Sequence, residues 1–279
     1  MLRNSFLHLP SIGPSTEQKL WKGGLRTMQD FLESPPAFLS RHRQRSIAEH
    51  IALAQDRLHR QDAAYFCANL PAKEHWRIFK EHRQNTAYLD IETTGLGNAA
   101  DIITTIALYD GQSVKYYVHG HNLQDFKQDI RGYNTLVTYN GKTFDIPFIE
   151  SYLNLRLDQA HIDLRYVLRS LGYSGGLKSC ERQLGWGRSG CLQDMDGYFA
   201  VLLWQEYKRK KSDKALETLL AYNIQDVLGL EQLMIEAYNQ KLGSIPLDLT
   251  PIPACQPLKN PFQVDDAIVR SLKDRIWGP

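Results

Sequence analysis

The sequence predicts an α/β protein: a mixed sheet flanked by helices, preceded by a small helical region. Three observations carry this. Between Ala87 and Tyr139, short β-branched runs alternate with turn signals. Beyond Phe144 the apolar positions return at helical spacing, and before residue 85 they do so as well. Three strands in succession, then helix, strand and helices, give a sheet that is neither purely parallel nor purely antiparallel.

Residues 1–84 form the helical region. Gly13 makes a tight turn, and a helix starts beside it with Pro14 in its first turn. Gly23-Gly24 ends that helix, and Thr27 caps the next. Over 38–60 the apolar positions Phe38, Leu39, Ile47, Ile51, Leu53 and Leu58 are interleaved with arginine and histidine. His42, His50 and His59 have no partners at ligand spacing, so a solvated basic face is expected. Residues 61–86, with Tyr65, Phe66 and Trp76, read as a connector packing its aromatics onto the next domain.

The second region, 85–242, carries the strands. Ala87-Tyr88-Leu89 leads into Asp90-Ile91-Glu92-Thr93-Thr94-Gly95-Leu96. Residues 102–109 are β-branched, Asp110-Gly111 signals a hairpin, and 114–118 return. A short helical pattern spans 123–130, and a fourth strand over 135–139 closes at Asn140-Gly141. Helices are expected over 146–155, 162–171, 177–185, 197–210 and 213–240. The third region, 243–279, contains five prolines before a short helix near 265–276; it is expected to run extended over the surface.

Composition sets limits. The chain has 279 residues, 43% hydrophobic and 23% charged, enough for a sizeable core. A net charge of +2 excludes a globally basic surface, so any nucleic-acid contact must be local. Arginines crowd 41–60, and Lys208-Arg209-Lys210-Lys211 is read as a solvated helix face. Cys67, Cys180, Cys191 and Cys255 are widely spaced, which excludes a zinc ribbon or disulfide framework and fits a reducing cytoplasm. No charged-then-apolar leader or membrane-length apolar run is present, so a cytoplasmic location without membrane attachment is expected.

The chemistry begins at Asp90 and Glu92. Strand side chains alternate, so these carboxylates share a face while Ile91 takes the other. They repel unless a cation or a shared proton separates them. A divalent metal site is therefore one reading and a loop-anchoring pair the other. Asp145 is expected to open a helix beside the end of the fourth strand. Tyr222 and Asp226 stand one turn apart on one helical face. Aspartate inside a helix is locally unfavourable, so Asp226 needs a reason.

Asp90-x-Glu92-Thr93-Thr94-Gly95, Asn140-x-x-x-Phe144-Asp145 and Tyr222-x-x-x-Asp226 together resemble the three exonuclease motifs of the DnaQ-like, or DEDD, superfamily. Asp163-Leu164, the stretch from Leu177 to Gly185, and Asp196-Gly197 resemble its YprB-type ribonuclease H-like branch. With Ala221 five residues before Asp226 and Tyr222 four before it, the third motif resembles the tyrosine class. The resemblance covers roughly 85–240 and implies a ribonuclease H-like fold. It also implies phosphodiester hydrolysis with two divalent ions, Mg²⁺ or Mn²⁺, in 3′-to-5′ exonuclease mode. Asp90, Glu92 and Asp226 would hold one ion, Asp90 would bridge to the second, and Asp145 would stand close by. Tyr222 would orient the attacking water. Thr93, Leu96 and Asn140 would contact the nucleic acid.

The Leu9-Pro10-Ser11-Ile12-Gly13 start, over about 8–33, partly resembles a helix-hairpin-helix unit. That would put Ile12, Gly13, Ser15 and Thr16 at a phosphate and favours DNA over RNA, with single-stranded DNA the expected substrate. The same carboxylates would serve an RNA-trimming or structure-selective nuclease. The non-enzymatic alternative is a nucleic-acid-binding module of a repair assembly.

Overall fold

The computed structural model describes residues 1–98, 100–187, 197–256 and 258–277. Cys191 and Asp196, singled out in the sequence, lie outside them. The sheet has five strands: β1 (Thr86–Thr93), β2 (Ile103–Tyr109), β3 (Val114–Val118), β4 (Thr135–Thr138) and β5 (Ala160–Asp163), in the order β3-β2-β1-β4-β5. β1 pairs antiparallel with β2 and β2 with β3, whereas β1, β4 and β5 run parallel. The mixed sheet is as expected, with one strand more. Residues 160–163 form β5, and the helix expected over 162–171 begins only at Leu164. The four residues run straight into a helix over Leu164–Arg169, so their apolar positions merge with its pattern.

Twelve α-helices accompany the sheet among the described residues. The first four are α1 (Pro14–Lys22), α2 (Met28–Glu33), α3 (Arg41–His59) and α4 (Ala63–Asn69). Next come α5 (Phe79–His82), α6 (Phe126–Asp129), α7 (Asp145–Leu153) and α8 (Leu164–Arg169). The last four are α9 (Leu177–Gln183), α10 (Gly197–Lys210), α11 (Asp213–Gly243) and α12 (Asp266–Trp277).

Every residue of β1 except Asp90 is buried, because β1 is central and covered on both faces. Ala87, Leu89 and Ile91 face one core, with Ile106, Leu108, Phe126, Ile149 and Leu153. Tyr88 faces the other, with Tyr109 and the long buried side of α11. Each large apolar side chain so enclosed is worth roughly 1.5–3 kcal/mol. The alternation therefore fixes the register and puts Asp90 and Glu92 on the α11 side.

The N-terminal region has the capping its sequence predicts. Pro14 opens α1, Gly23 closes it, and Thr27 forms a capping box with Asp30 at α2. On α3 the buried stripe is Ile47, Ile51, Ala54 and Leu58; Phe38 and Leu53 are exposed, contrary to expectation. Leu53 falls off the i, i+4, i+7, i+11 line that faces the core, and Phe38 precedes α3. The connector is largely helical, and it does bury its aromatics: Trp76 packs edge-on against Tyr238 of α11 at 5.4 Å. The core containing Tyr88 runs without a break from Met1 to Leu272.

The C-terminal segment is extended but anchored. Asn239 of α11 exchanges two 2.8 Å hydrogen bonds with the backbone of Ile252. Asn260 donates to the Ala221 carbonyl at 2.7 Å, and the Asp265 N–H donates to Thr218 at 3.0 Å. Lys210 and Arg209 are not merely solvated, since both meet Glu206, as does Arg275 of α12. Among the described residues no helix is long and apolar enough to cross a membrane.

Candidate metal centre

Two elements build the site. The end of β1 delivers Asp90 and Glu92 to the α11 side of the sheet, and α11 delivers Tyr222, Asn223 and Asp226 onto them. Asp90, Glu92 and Asp226 each offer an oxygen, and these oxygens lie within 4.8 Å of one another. Glu92 and Asp226 are buried and Asp90 is half-buried. The pairing register between β1 and β2 shifts between Glu92 and Thr93, so the regular ladder breaks at the site.

Asp145 opens α7 as expected and is buried beside this group. It lies outside the three-carboxylate cluster; its Oδ1 accepts the Ile91 N–H at 3.2 Å. That bond ties the start of α7 to the strand residue between the two acidic positions.

The electrostatics are those of crowded anions. Burial, then the nearness of Asp226, Asp145 and Glu92, pushes the Asp90 carboxyl far above the ordinary range, against the pull of the Asn223 amide. Burial and the same two aspartates raise Glu92, with Lys178 opposing. Burial raises Asp145 to about 7, opposed by backbone N–H bonds and reinforced by Asp163 and Asp226. Low-dielectric surroundings make each uncompensated carboxylate costly. A hard, oxygen-preferring divalent cation would relieve that cost, and the donor set here is all oxygen. The residues fit such an ion.

The cluster opens into a cleft of about 880 Å³. Thr93, Leu96, Asn140 and Tyr222 all border it, so those sequence expectations converge on one place. Leu96 is 91% exposed on the rim. Thr93 is buried, its hydroxyl donating to the Gly95 carbonyl at 2.6 Å. Ile12, Gly13, Ser15 and Thr16 are not among the residues bordering the cleft. The Ile12 side chain is buried, while Ser15 is exposed at the start of α1.

Several site residues were not anticipated in these roles. Asn223 donates to Asp90 Oδ2 at 2.7 Å and accepts from Thr105 at 3.0 Å, so it aims one carboxylate. Lys178 of α9 holds its ammonium 4.6 Å from the centre of the Tyr222 ring. Asp163, at the end of β5, accepts backbone N–H groups of Asn140 and Lys142 at 2.8 and 3.0 Å. It thereby fixes the turn preceding Asp145. Asn140 holds a left-handed φ of 66° there and accepts from Arg165, another cleft residue. Asn223 lies between the two residues the motif named; Asp163 and Lys178 fall in stretches that carried the family resemblance without a role assigned to them, and Arg165 had no signal.

A mixed sheet whose central strand ends in paired carboxylates, completed by an aspartate from a packed helix, defines an α/β protein with a three-carboxylate cluster that could hold a divalent cation. The chain belongs to the RNase_H superfamily, whose model matches residues 87–238. It is 29% identical over 177 residues to the uncharacterized protein YprB of Bacillus subtilis (strain 168), covering 55% of this chain and 42% of that protein. The chain thus spans less than half the length of that relative. Among solved structures, the family B DNA polymerase from the hyperthermophilic archaeon Pyrobaculum calidifontis overlaps 56% of this chain and 24% of its own, at 15% identity and a TM-score of 0.43. Brucella melitensis NrnC bound to pGG overlaps 59% and 76%, at 20% identity and 0.40. NrnC with bound Mg²⁺ overlaps 59% and 77%, at 22% identity and 0.39.

Proposed function

We propose that the chain is a metal-dependent 3′-to-5′ exonuclease with single-stranded DNA as its preferred substrate. The observation that carries this is the convergence of Asp90, Glu92 and Asp226 within 4.8 Å beside an open cleft. These three carboxylates hold the cations, with Asp145 alongside. When bound, divalent cations acidify the attacking water and offset charge on the leaving oxygen. The remaining work falls to the chain. Tyr222 is the tyrosine of the third motif; its hydroxyl orients the water, and the Lys178 ammonium stands 4.6 Å from the ring centre. Asn223 keeps Asp90 aimed. Asn140 and Arg165 contact the phosphate side of the strand, and Thr93 and exposed Leu96 contact the terminal nucleotide.

The N-terminal region contributes a second contact, through the backbone at Gly13, Ser15 and Thr16, where α1 starts with no side chain capping it. Ser15→Glu tests this away from the core; unchanged DNA affinity rules the contact out.

The test of the whole proposal is purified protein with Mg²⁺ or Mn²⁺ on 5′-labelled single-stranded DNA, duplex DNA and RNA. A ladder of progressively shorter labelled products is expected, earliest on single-stranded DNA. Immediate release of the labelled nucleotide would reverse the polarity, and a discrete internal fragment would mean an endonuclease. A ladder on RNA alone would make the substrate RNA. Binding without cleavage of any strand would favour a binding module.

A further inference from the structure

Away from the metal centre, α4, the turn after it and β5 bring a cysteine and a histidine together in a way that nothing in the proposed nuclease uses. His75, buried at 8% exposure, has a carbonyl oxygen 3.0 Å from each ring nitrogen: His161 at Nδ1 and Leu70 at Nε2. Carbonyl oxygens only accept, so a neutral imidazole could satisfy only one of them. Both contacts are made when the ring is a doubly protonated cation. A buried imidazolium needs a counter-charge. Cys67 Sγ lies 3.7 Å from Nδ1 and 3.8 Å from Nε2, so it meets the cation as a whole rather than one N–H. The sulfur also accepts the His161 backbone N–H at 3.4 Å. The acceptor a neutral thiol would use is the His161 carbonyl at 3.7 Å, an oxygen that lies closer to His75 Nδ1, at 3.0 Å.

We propose that Cys67 and His75 form a thiolate–imidazolium pair, and that Cys67 is a modification site for hydroperoxides. The other charged or titratable groups facing it agree. Lys142 adds positive charge near the sulfur, and burial keeps His161 neutral, with its proton affinity lowered to about 4. Burial, the largest influence, works against the ionised sulfur, but His75, the His161 backbone N–H and Lys142 together lower Cys67 below an ordinary thiol; His75 shifts upward in step. Cys67 is half-buried, so a small reagent reaches it, whereas Cys180 is enclosed.

The step balances simply. The Cys67 sulfur attacks one peroxide oxygen, the O–O bond breaks, and a sulfenic acid forms as the sulfur is oxidised. The departing hydroxide takes a proton from solvent and leaves as water. His75 then has no counter-charge; on losing its proton it gives up one of its two carbonyl bonds. One of those carbonyls belongs to His161 of β5, the strand whose last residue, Asp163, holds the turn before Asp145. Oxidation at Cys67 therefore loosens the sheet edge that supports the site.

The test is the alkylation rate of each cysteine with iodoacetamide across pH, read by mass spectrometry on the full chain, with Cys255 as internal reference. A thiolate gains from ionisation and loses some intrinsic nucleophilicity, so at pH 6 Cys67 should react on the order of tenfold faster than Cys255. Its rate should stay nearly flat upward from there. A Cys67 rate that climbs with pH alongside Cys255, or no reaction at any pH, overturns the proposal. A second readout avoids reagent access: the thiolate ultraviolet absorbance of wild type minus Cys67→Ser at pH 6. A positive difference is expected, and zero difference overturns the ion pair. One equivalent of hydrogen peroxide should then lower the melting temperature of wild type and leave Cys67→Ser unchanged; equal shifts in the two overturn the peroxide step.

Discussion

Asn223 links the metal centre to the sheet through two hydrogen bonds, one to Asp90 and one to Thr105 of β2. Residues that orient a metal ligand typically cost ten- to a hundredfold in affinity when removed. Asn223→Ala is therefore expected to weaken Mn²⁺ binding by about that factor while the fold persists; isothermal titration measures it. The carboxylates themselves predict a pH dependence. Asp145 binds its proton more tightly folded than unfolded, being raised to about 7. Its stabilising contribution to the metal-free protein is full below the ordinary aspartate value near 4 and is lost as pH rises through about 7. Asp90 and Glu92 shift in the same direction. A cation must displace these protons, so affinity should rise over that window. The melting temperature gained on adding Mn²⁺ should be larger at about pH 8 than at about pH 5, and an equal gain at both would contradict the crowding. The strand period put Asp90 with Glu92 and the helix period put Tyr222 with Asp226, and the resemblance to the three exonuclease motifs joined the pairs into one expected site. Asn223 was not, since its partners lie 118 and 133 residues away in sequence.

At the scale of elements, β5 is the part of the fold the sequence concealed. Four residues, one of them a half-exposed histidine, offer too short an alternation to stand out from the helix beyond them. Its role is visible only in space. Asp163 ends β5, caps α8 through Arg165 N–H, and holds two N–H groups of the turn carrying Asn140. Asp163→Ala removes all three acceptor contacts from a buried place. A loss of about 1–3 kcal/mol is expected in denaturant unfolding, on the scale of leaving buried polar groups unsatisfied. Because that turn leads directly into Asp145, cleavage should fall by more than the unfolded fraction explains. Activity that merely tracks stability would mean the turn is structural only. The hairpin at Asp110-Gly111 shows the opposite case: a local signal with a local cause. Asp110 accepts the Gln112 and Ser113 N–H groups, and Gly111 takes a φ of 88°.

Across the whole molecule, a buried ion pair ties α1 to the connector that packs onto the sheet domain. Glu17 accepts both terminal nitrogens of Arg77, at 2.8 and 3.0 Å, and also the Phe6 and Leu7 N–H groups. Arg77 lies between the Trp21 and Trp76 rings. Breaking such a pair from one side costs about 3–5 kcal/mol. Arg77→Leu should lower the unfolding midpoint accordingly, while Lys19→Leu on the exposed side of α1 should not. The sequence exposed the caps of α1 and α2 but not this fastening, since the partners are 60 residues apart and neither sits in a motif. The account as a whole rests on cations held between β1 and α11. The most direct measurement is Mn²⁺ titration of the wild-type chain against Asp226→Asn at neutral pH, with both checked for folding by circular dichroism. The account predicts saturable binding to wild type, weakened in the variant by more than about a hundredfold, beyond the loss of an outer partner. Equal binding by a folded variant, or no binding by wild type, would contradict it.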